Sequence, residues 1–229
     1  MWYLLVFFLL SLEGKEICYY DVKLGSIKLG EIVLKSEMVE ESGKNFLLFE
    51  MASKSKGILS RIYPMNDTII SYVDPERFAT FRYIKKIHEK DTTFFTTVDF
   101  EIDSGIAIYK DGKRYYTPLN AIDALSMIFF IRRLSLEKGE KKFIPYHFDK
   151  RSSVIPVEII KEEVIKTPFK NKNTELIILH QKGRNLFKGK GNIYLWMGKE
   201  DRIIYKLAFK TKFGKLYALL KKREVFMEN

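Results

Sequence analysis

From Cys18 onward, apolar side chains recur at every second position, the spacing that sends successive residues to opposite faces of a β-sheet. Between Arg202 and Lys212, Ile203, Tyr205, Leu207, Phe209 and Thr211 fall on one face, while Ile204, Lys206, Ala208, Lys210 and Lys212 form a more polar one. Phe94 to Asp103 repeats the arrangement, with Phe94, Thr96, Val98, Phe100 and Ile102 opposed to Phe95, Thr97, Asp99, Glu101 and Asp103. Ile193, Leu195 and Met197 alternate with Asn192, Tyr194 and Trp196 in a third run. Turn signals separate such runs at Gly25-Ser26, Ser42-Gly43, Ser104-Gly105, Asp111-Gly112 and Phe213-Gly214. Asp111-Gly112 is the strongest, because a tight hairpin needs residues that tolerate positive φ. Consecutive strands are expected to pair antiparallel.

Two segments modify this pattern. Between Ile27 and Leu34 the apolar phase slips, with Ile27 and Leu29 on one parity and Ile32 and Leu34 on the other, and Gly30 at the slip. A β-bulge at Gly30 would re-aim the strand and let the sheet curl. Asn120 to Lys138 has no period-two pattern; it begins with Asn120 as an N-cap candidate, followed at the third position by Asp123, and ends before Gly139. That predicts a helix, apolar on nearly all sides and therefore buried, with a cationic tip at Arg132 and Arg133. Its apolar run is about half of the ~20 residues a membrane span requires. The expected fold class is mainly β: a curled antiparallel sheet or barrel-like fold around one buried α-helix at about Asn120 to Lys138.

The first residues stand apart. Trp2 to Leu12 is an uncharged apolar run whose length suits a secretory signal and falls short of a spanning helix. No Lys or Arg precedes it, and Leu12-Glu13-Gly14 makes a poor cleavage site. Residues 1–14 are thus read as a signal peptide or an uncleaved N-terminal anchor, the alternative being an apolar first strand. Residues 15–229 are read as one β-rich domain, without repeats or a separating linker. The polar, Lys-rich stretches Lys166 to Asn173 and Lys182 to Lys190 are the expected mobile loops.

Composition narrows the chemistry. Forty Lys and Arg against 29 Asp and Glu give a net charge of +11, which favours anionic surfaces, although basic residues at alternate strand positions also suit a solvated sheet face. The lone cysteine, Cys18, excludes an internal disulfide, and Lys15-Glu16-Ile17 before it is no lipid-attachment signal. Cys18 is read as a small buried hydrophobe.

Several pieces occur in a telling order: Tyr20-Asp21-Val22 with Gly25, then Ile27-Lys28-Leu29-Gly30-Glu31; Ile62-Tyr63-Pro64-Met65-Asn66-Asp67 with Ser71; Asp123-Ala124-Leu125-Ser126 running into Arg132; Leu195-Trp196 through Asp201-Arg202; and Phe213-Gly214-Lys215-Leu216. In order and separation they resemble the bacterial domain-of-unknown-function family 3108, over nearly the whole chain after its first residues. Members often carry Pro after the basic residue of the late strand, where this chain has Ile203-Ile204-Tyr205, and a glycine after Thr167-Pro168 is absent. The resemblance implies an exported, β-rich envelope protein and no defined activity.

The search for chemistry leaves little. His88, His147 and His180 have no short ligand spacing and are expected on the surface or on strand faces. No phosphate loop or nucleophile elbow is present. No catalytic residue, metal or cofactor is assigned, and an enzyme is not expected. A polar set remains: Asp123, Ser126 and Arg132 on or beside the helix, with Arg133, Asp67, Trp196 and Asp201. It reads either as caps and ion pairs, or with Arg132 or Arg133 binding an anionic headgroup at the mouth of an apolar cavity.

The leading reading is a non-catalytic exported protein, periplasmic or attached to the inner membrane, serving as an interaction or envelope-integrity module. The alternative is a periplasmic carrier holding a lipid or acyl chain in an apolar cavity with a basic rim. An anionic lipid or another envelope component is the expected partner; nucleic acid is not, and a protein partner is undefined.

Overall fold

The computed structural model describes residues 14–181, 186–187, 190–211 and 214–227. Residues 1–13 of the signal or anchor read at residues 1–14, most of the loop read at Lys182 to Lys190, and Phe213 of the last turn signal lie outside the described residues, while Gly14 already begins the first strand.

The first half of the chain meanders through β1 (Gly14–Leu24), β2 (Ile27–Glu41), β3 (Lys44–Ser55), β4 (Asn66–Val73), β5 (Thr80–Glu89), β6 (Thr92–Glu101), β7 (Ile106–Tyr109) and β8 (Arg114–Tyr116). The second half does the same through β9 (Lys141–Phe148), β10 (Arg151–Lys166), β11 (Asn171–Leu179), β12 (Ile193–Gly198), β13 (Ile204–Thr211) and β14 (Gly214–Met227). Antiparallel hairpins join neighbours because the turns carry residues at positive φ: Gly25, Ser42 and Gly43, Gly105, Gly112. The expected turns at Gly25-Ser26, Ser42-Gly43, Ser104-Gly105 and Asp111-Gly112 are present. Pairing of β1 with β14, from Gly14 opposite Met227 to Lys23 opposite Tyr217, fuses the halves into one fourteen-stranded sheet whose free edges are β8 and β9.

Bulges curl this sheet. Between β1 and β2 the register jumps from Val22 opposite Gly30 to Lys23 opposite Lys28, which places the irregularity where the apolar phase slipped. Gly30 is needed there: a Cβ would stand 2.8 Å from the Lys54 carbonyl oxygen. Further register shifts occur at Tyr19/Tyr20, Tyr72/Val73, Ile159/Lys161 and Trp196/Met197, each adding local twist. The curl brings β8 towards β9, and side chains rather than a continuous ladder bridge the seam. Ser152 Oγ donates to the Tyr116 carbonyl at 2.6 Å, the Lys150 amide donates to Tyr109 Oη at 2.7 Å, and Tyr109 Oη meets His147 Nε2 at 2.9 Å.

One end of the curled sheet is plugged by α2 (Ala124–Ile131), of which seven of eight residues are buried. The other end carries the short α1 (Gly57–Ile62), which buries none of its residues. Against α2, Phe49 and Phe129 stack with ring centroids 4.1 Å apart. The helix is shorter than the pattern predicts, and its N-cap is Asp123 instead of Asn120. Residues 120–122 are drawn into extended pairing: Thr80 N–H donates to Ala121 O, Ile122 N–H to Pro145 O, and His147 N–H to Ile122 O. This cross-connection between β5 and β9 satisfies backbone groups that a longer helix would have used internally. At the far end, Arg132, Arg133 and Leu134 donate to Phe129, Phe130 and Ile131, tightening the last turn, while Arg202 donates to the carbonyls of Ile131, Arg132 and Leu134. A guanidinium from the β12–β13 turn therefore terminates α2.

Other expectations shift similarly. Lys166 and Asn171 belong to strands, leaving only 167–170 as a turn. Phe94 and Phe95 are 50% and 41% exposed, because the first half of β6 extends beyond the packed interior. Ile203 and Ile204 are both buried in the main core, because the register shift at Trp196/Met197 sets Ile204 opposite the inward Met197; the outer face of β13 is covered by Trp196 and Leu176 around Ala208.

The plug predicts where stability resides. Leu125→Ala, at a fully buried position, should lower the unfolding free energy by about 2–5 kcal/mol in urea titration. Ile58→Ala, at a position 63% exposed, should change it by no more than about 0.5 kcal/mol.

Candidate functional site

Asp123 sits between α2 and two strand ends. One carboxylate oxygen accepts from Ser71 Oγ at 2.9 Å and from the Leu125 and Ser126 amides at 2.7 and 3.1 Å. The other accepts from Thr80 Oγ1 at 2.7 Å and from Ser126 Oγ. Thr80 Oγ1 also accepts from the Asp123 amide. Each carboxylate lone pair is committed and the group is buried, so its chemistry is that of a cap and a staple, with no face left for a substrate.

Arg132 lies at the same plugged end and is likewise committed. Its guanidinium pairs with Glu16, whose other oxygen takes Arg223 Nε at 2.6 Å. Burial alone would raise the Glu16 carboxyl; the two guanidiniums outweigh it and hold the group at about 2. The space beside Arg132 is about 10 Å³, at the lower limit for a single water. Arg132 therefore stands at a filled end of the sheet, away from any cavity mouth. Arg133 places its guanidinium 4.9 Å from the centroid of Phe78.

The remaining predicted residues are scattered. Trp196 faces outward, donating from Nε1 to Glu163 at 2.6 Å, with the Lys206 ammonium 4.2 Å over its ring. Asp201 closes the β12–β13 turn, accepting from Lys172 Nζ and Tyr205 Oη, both at 2.6 Å; Lys172 and Tyr205 hold its carboxyl below the ordinary range against the effect of burial, the largest influence. Asp67 alone of the set reaches a cavity, accepting from the His88 amide at 3.0 Å. The structure unites Asp123 with Ser126 and separates the others.

Two adjoining cavities occupy the unplugged end. The larger, about 990 Å³, lies under the seam among β5, β6, β7 and the β9–β10 turn, lined by Tyr83, Phe94, Phe95, Phe100 and Phe148 and by Lys85, Lys90, Lys110 and Lys150. The smaller, about 260 Å³, lies beneath α1, walled by Val22, Leu29, Ile32, Met51, Phe209 and Leu216. Tyr63, Ile87 and Glu89 border both. Lys85 is neutralised by Asp149 at 3.2 Å and Lys150 by Asp111 at 3.1 Å. In the wall, burial pushes the imidazole of His147 down to about 4, so it is neutral at physiological pH and spans Tyr109 Oη and Ser152 Oγ, each at 2.9 Å. His147 is thus a strand-face residue, one of the two expected settings, and the face is the inward one.

Residues 19–221 match the model of the family described as protein of unknown function, DUF3108. The chain belongs to the DUF3108 family. A crystal structure of a β-barrel-like protein of the domain of unknown function DUF1849 from Brucella abortus superposes on it with a TM-score of 0.64, covering 94% of this chain and 99% of that one at 10% identity. At that identity the likeness is one of fold. A Vibrio parahaemolyticus domain, assigned provisionally to outer membrane lipoprotein sorting, aligns over 93% of this chain and 85% of its own at 8% identity, with a TM-score of 0.25 too low to carry an argument. No curated protein matches.

Burial pushes the Cys18 thiol up to about 12, which removes its nucleophilic form. Among the described residues no three or more His, Cys, Asp or Glu side chains gather as a metal site, and no helix is long and apolar enough to cross a membrane. Sequence reasoning missed Tyr83, His147 and the cavity lysines. Their only signal was a strand parity that turns them inward, because the partners that make a pocket of them lie on other strands.

Three outcomes test this assignment. Asp123→Ala should cost about 3–5 kcal/mol in chemical denaturation, since it strands several buried donors. The His147 proton is bound more readily by the unfolded chain, so its stabilisation is complete above the ordinary value of 6.5 and is lost as pH falls to about 4. A stability profile of His147→Gln should lack that loss. Glu16 contributes in full above 4.5 and loses its contribution as pH falls towards 2, and Glu16→Gln should flatten the acid limb.

Proposed function

We propose that this DUF3108 protein is a non-catalytic carrier of the cell envelope that holds an apolar or amphipathic molecule in the unplugged end of its curled sheet. One observation carries the reading: α2 fills one end, leaving about 10 Å³ beside Arg132, while the other end keeps two adjoining cavities, the smaller walled largely by aliphatic and aromatic side chains. The larger, at about 990 Å³, lies at the upper end of the range of small-molecule sites. A sheet serving purely as a scaffold gains nothing from leaving such surface unpacked, because each unfilled volume forfeits dispersion and burial energy.

Absence of catalysis is supported by the saturation of Asp123 and by the protonated state of Cys18. Export is supported by the apolar run from Trp2 to Leu12, of the length of a secretory signal. The interaction-module reading shares the plugged end and differs in requiring the cavities to stay without a passenger.

Native mass spectrometry of protein purified without added lipid separates the two. A carrier should show a hydrophobic passenger that leaves on collisional activation. Thr96→Trp, which places an indole into the larger cavity from a half-buried wall position, should lower both passenger occupancy and uptake of a fluorescent acyl probe by about tenfold, the equivalent of ~1.4 kcal/mol. No passenger and no probe uptake by the unaltered protein would overturn the carrier.

A further inference from the structure

At the unplugged end, the corner where α1, the β1–β2 turn and the start of β14 meet leaves apolar side chains to solvent. α1 turns Leu59 inward onto the smaller cavity, while Ile58 and Ile62, one turn apart, are 63% and 67% exposed. Ile27, 56% exposed, and its cross-strand neighbour Leu24 add two more in the β1–β2 turn. The pieces adjoin. The Lys56 amide at the cap of α1 donates to Leu29 O at 2.8 Å, and Leu24 Cδ1 lies 3.6 Å from where a Cβ on Gly214 would stand. Single exposed aliphatics are ordinary on a protein surface, whereas four on adjoining elements at a cavity mouth make a patch.

Cations flank this patch. Lys210 and Lys215 stand directly opposite one another at the end of the β13–β14 hairpin, and Lys23 on β1 pairs with Tyr217. Strand parity places all three lysines on the outer face, since their chain neighbours Phe209, Leu216 and Val22 point into the core. Charge gathers further at Tyr217, where the ammoniums of Lys206 and Lys215 lie 4.8 and 5.6 Å from one ring centroid. Like charges facing each other across a ladder repel. No ion pair relieves Lys23, Lys210 or Lys215 among the described residues, and the carboxylates of the β1–β2 hairpin, Asp21 and Glu31, are held by Lys28 at 2.6 and 2.7 Å. Arg61, exposed on α1 between the two isoleucines, is unpaired as well.

We propose that this corner docks on an anionic bilayer, its four aliphatic side chains entering the interface and the unpaired cations lying at the depth of the lipid phosphates. A soluble polyanion would engage the lysines and leave the aliphatic patch wet; an apolar protein face would cover the patch and strip water from the lysines without replacing it. A bilayer interface supplies hydrocarbon and phosphate at adjacent depths, and the long stems of Lys and Arg span the two. Docked in this way, the mouth of the smaller cavity faces the membrane. The surface lies outside the cavities, so the proposal holds whether or not they carry a passenger.

The test is the full chain carrying Ile62→Cys labelled with nitrobenzoxadiazole; Cys18 is buried with its thiol protonated, so position 62 alone takes the label. On vesicles of phosphatidylglycerol in phosphatidylcholine, the emission should shift to the blue and resist iodide quenching. Phosphatidylcholine alone should require at least about tenfold more lipid for the same response. A label at Tyr116→Cys, exposed on β8 at the plugged end, should stay aqueous. Both chains carry the same Trp2 to Leu12 run, so insertion of that run does not separate the two labels. Joint Lys23→Glu, Lys210→Glu and Lys215→Glu should raise the anionic lipid required at least about tenfold. Ile58→Asp should weaken docking while leaving the melting temperature unchanged. A position-62 label that stays aqueous on anionic vesicles, or a position-116 label that shifts equally, overturns the docking surface. Equal responses to the two vesicle types overturn the part given to the cations, and an equal shift with polyphosphate in solution gives the surface to a soluble polyanion instead. Docking by a protein that carries no passenger in native mass spectrometry would sink the carrier and leave this surface standing.

Discussion

The buried carboxylate of Asp123 organises this molecule. It caps α2 through two amides, takes the hydroxyl of the helix's own Ser126, and reaches across to Ser71 on β4 and Thr80 on β5. An anion this deep would be prohibitive without such saturation; with it, helix and sheet are held in one register. Arg202 performs the complementary task at the other helix end, satisfying carbonyls with a guanidinium that is itself balanced by Glu175. The plug is thus fixed at both termini by charges of the sign that its dipole favours.

Fixing the plug decides what remains of the interior. A sheet this broad, curled by bulges until its edges meet through side chains, encloses more volume than eight helical residues can fill. The packing is therefore asymmetric. Around α2 polar groups are paired to completion, with Glu16 shared by two arginines and the residual space no larger than a water. The opposite end keeps two cavities that meet at Tyr63, Ile87 and Glu89, and the larger of them reaches up to Tyr83, beside Ser71. A filled interior at one end and open space at the other is what divides the molecule into a packed half and a hollow half.

The same logic explains why a DUF1849 protein with 10% identity shares the fold over nearly its whole length. The sheet asks only for inward apolar parity, hairpin turns and a few bulges, which many sequences meet. The lining of the cavities depends on individual residues such as Tyr83 and Phe148, and likeness of fold does not carry those across.

Strand existence, antiparallel hairpin pairing, the bulge at Gly30, a single buried helix and the burial of Cys18 were all determined by the sequence, because period, turn chemistry and apolar run length are local. The limits of that helix were not. Asn120 is as good an N-cap by composition as Asp123, and only the pairing of Ala121 and Ile122 with β5 and β9 pulls the preceding residues out of helical conformation. Nor could sequence reveal that Arg132 faces a carboxylate 116 residues away, or that Asp67, Trp196 and Asp201 point to different parts of the molecule. Tertiary structure alone decided which inward side chains met partners and which met space, since that depends on how far the sheet curls and how little of its interior the helix fills.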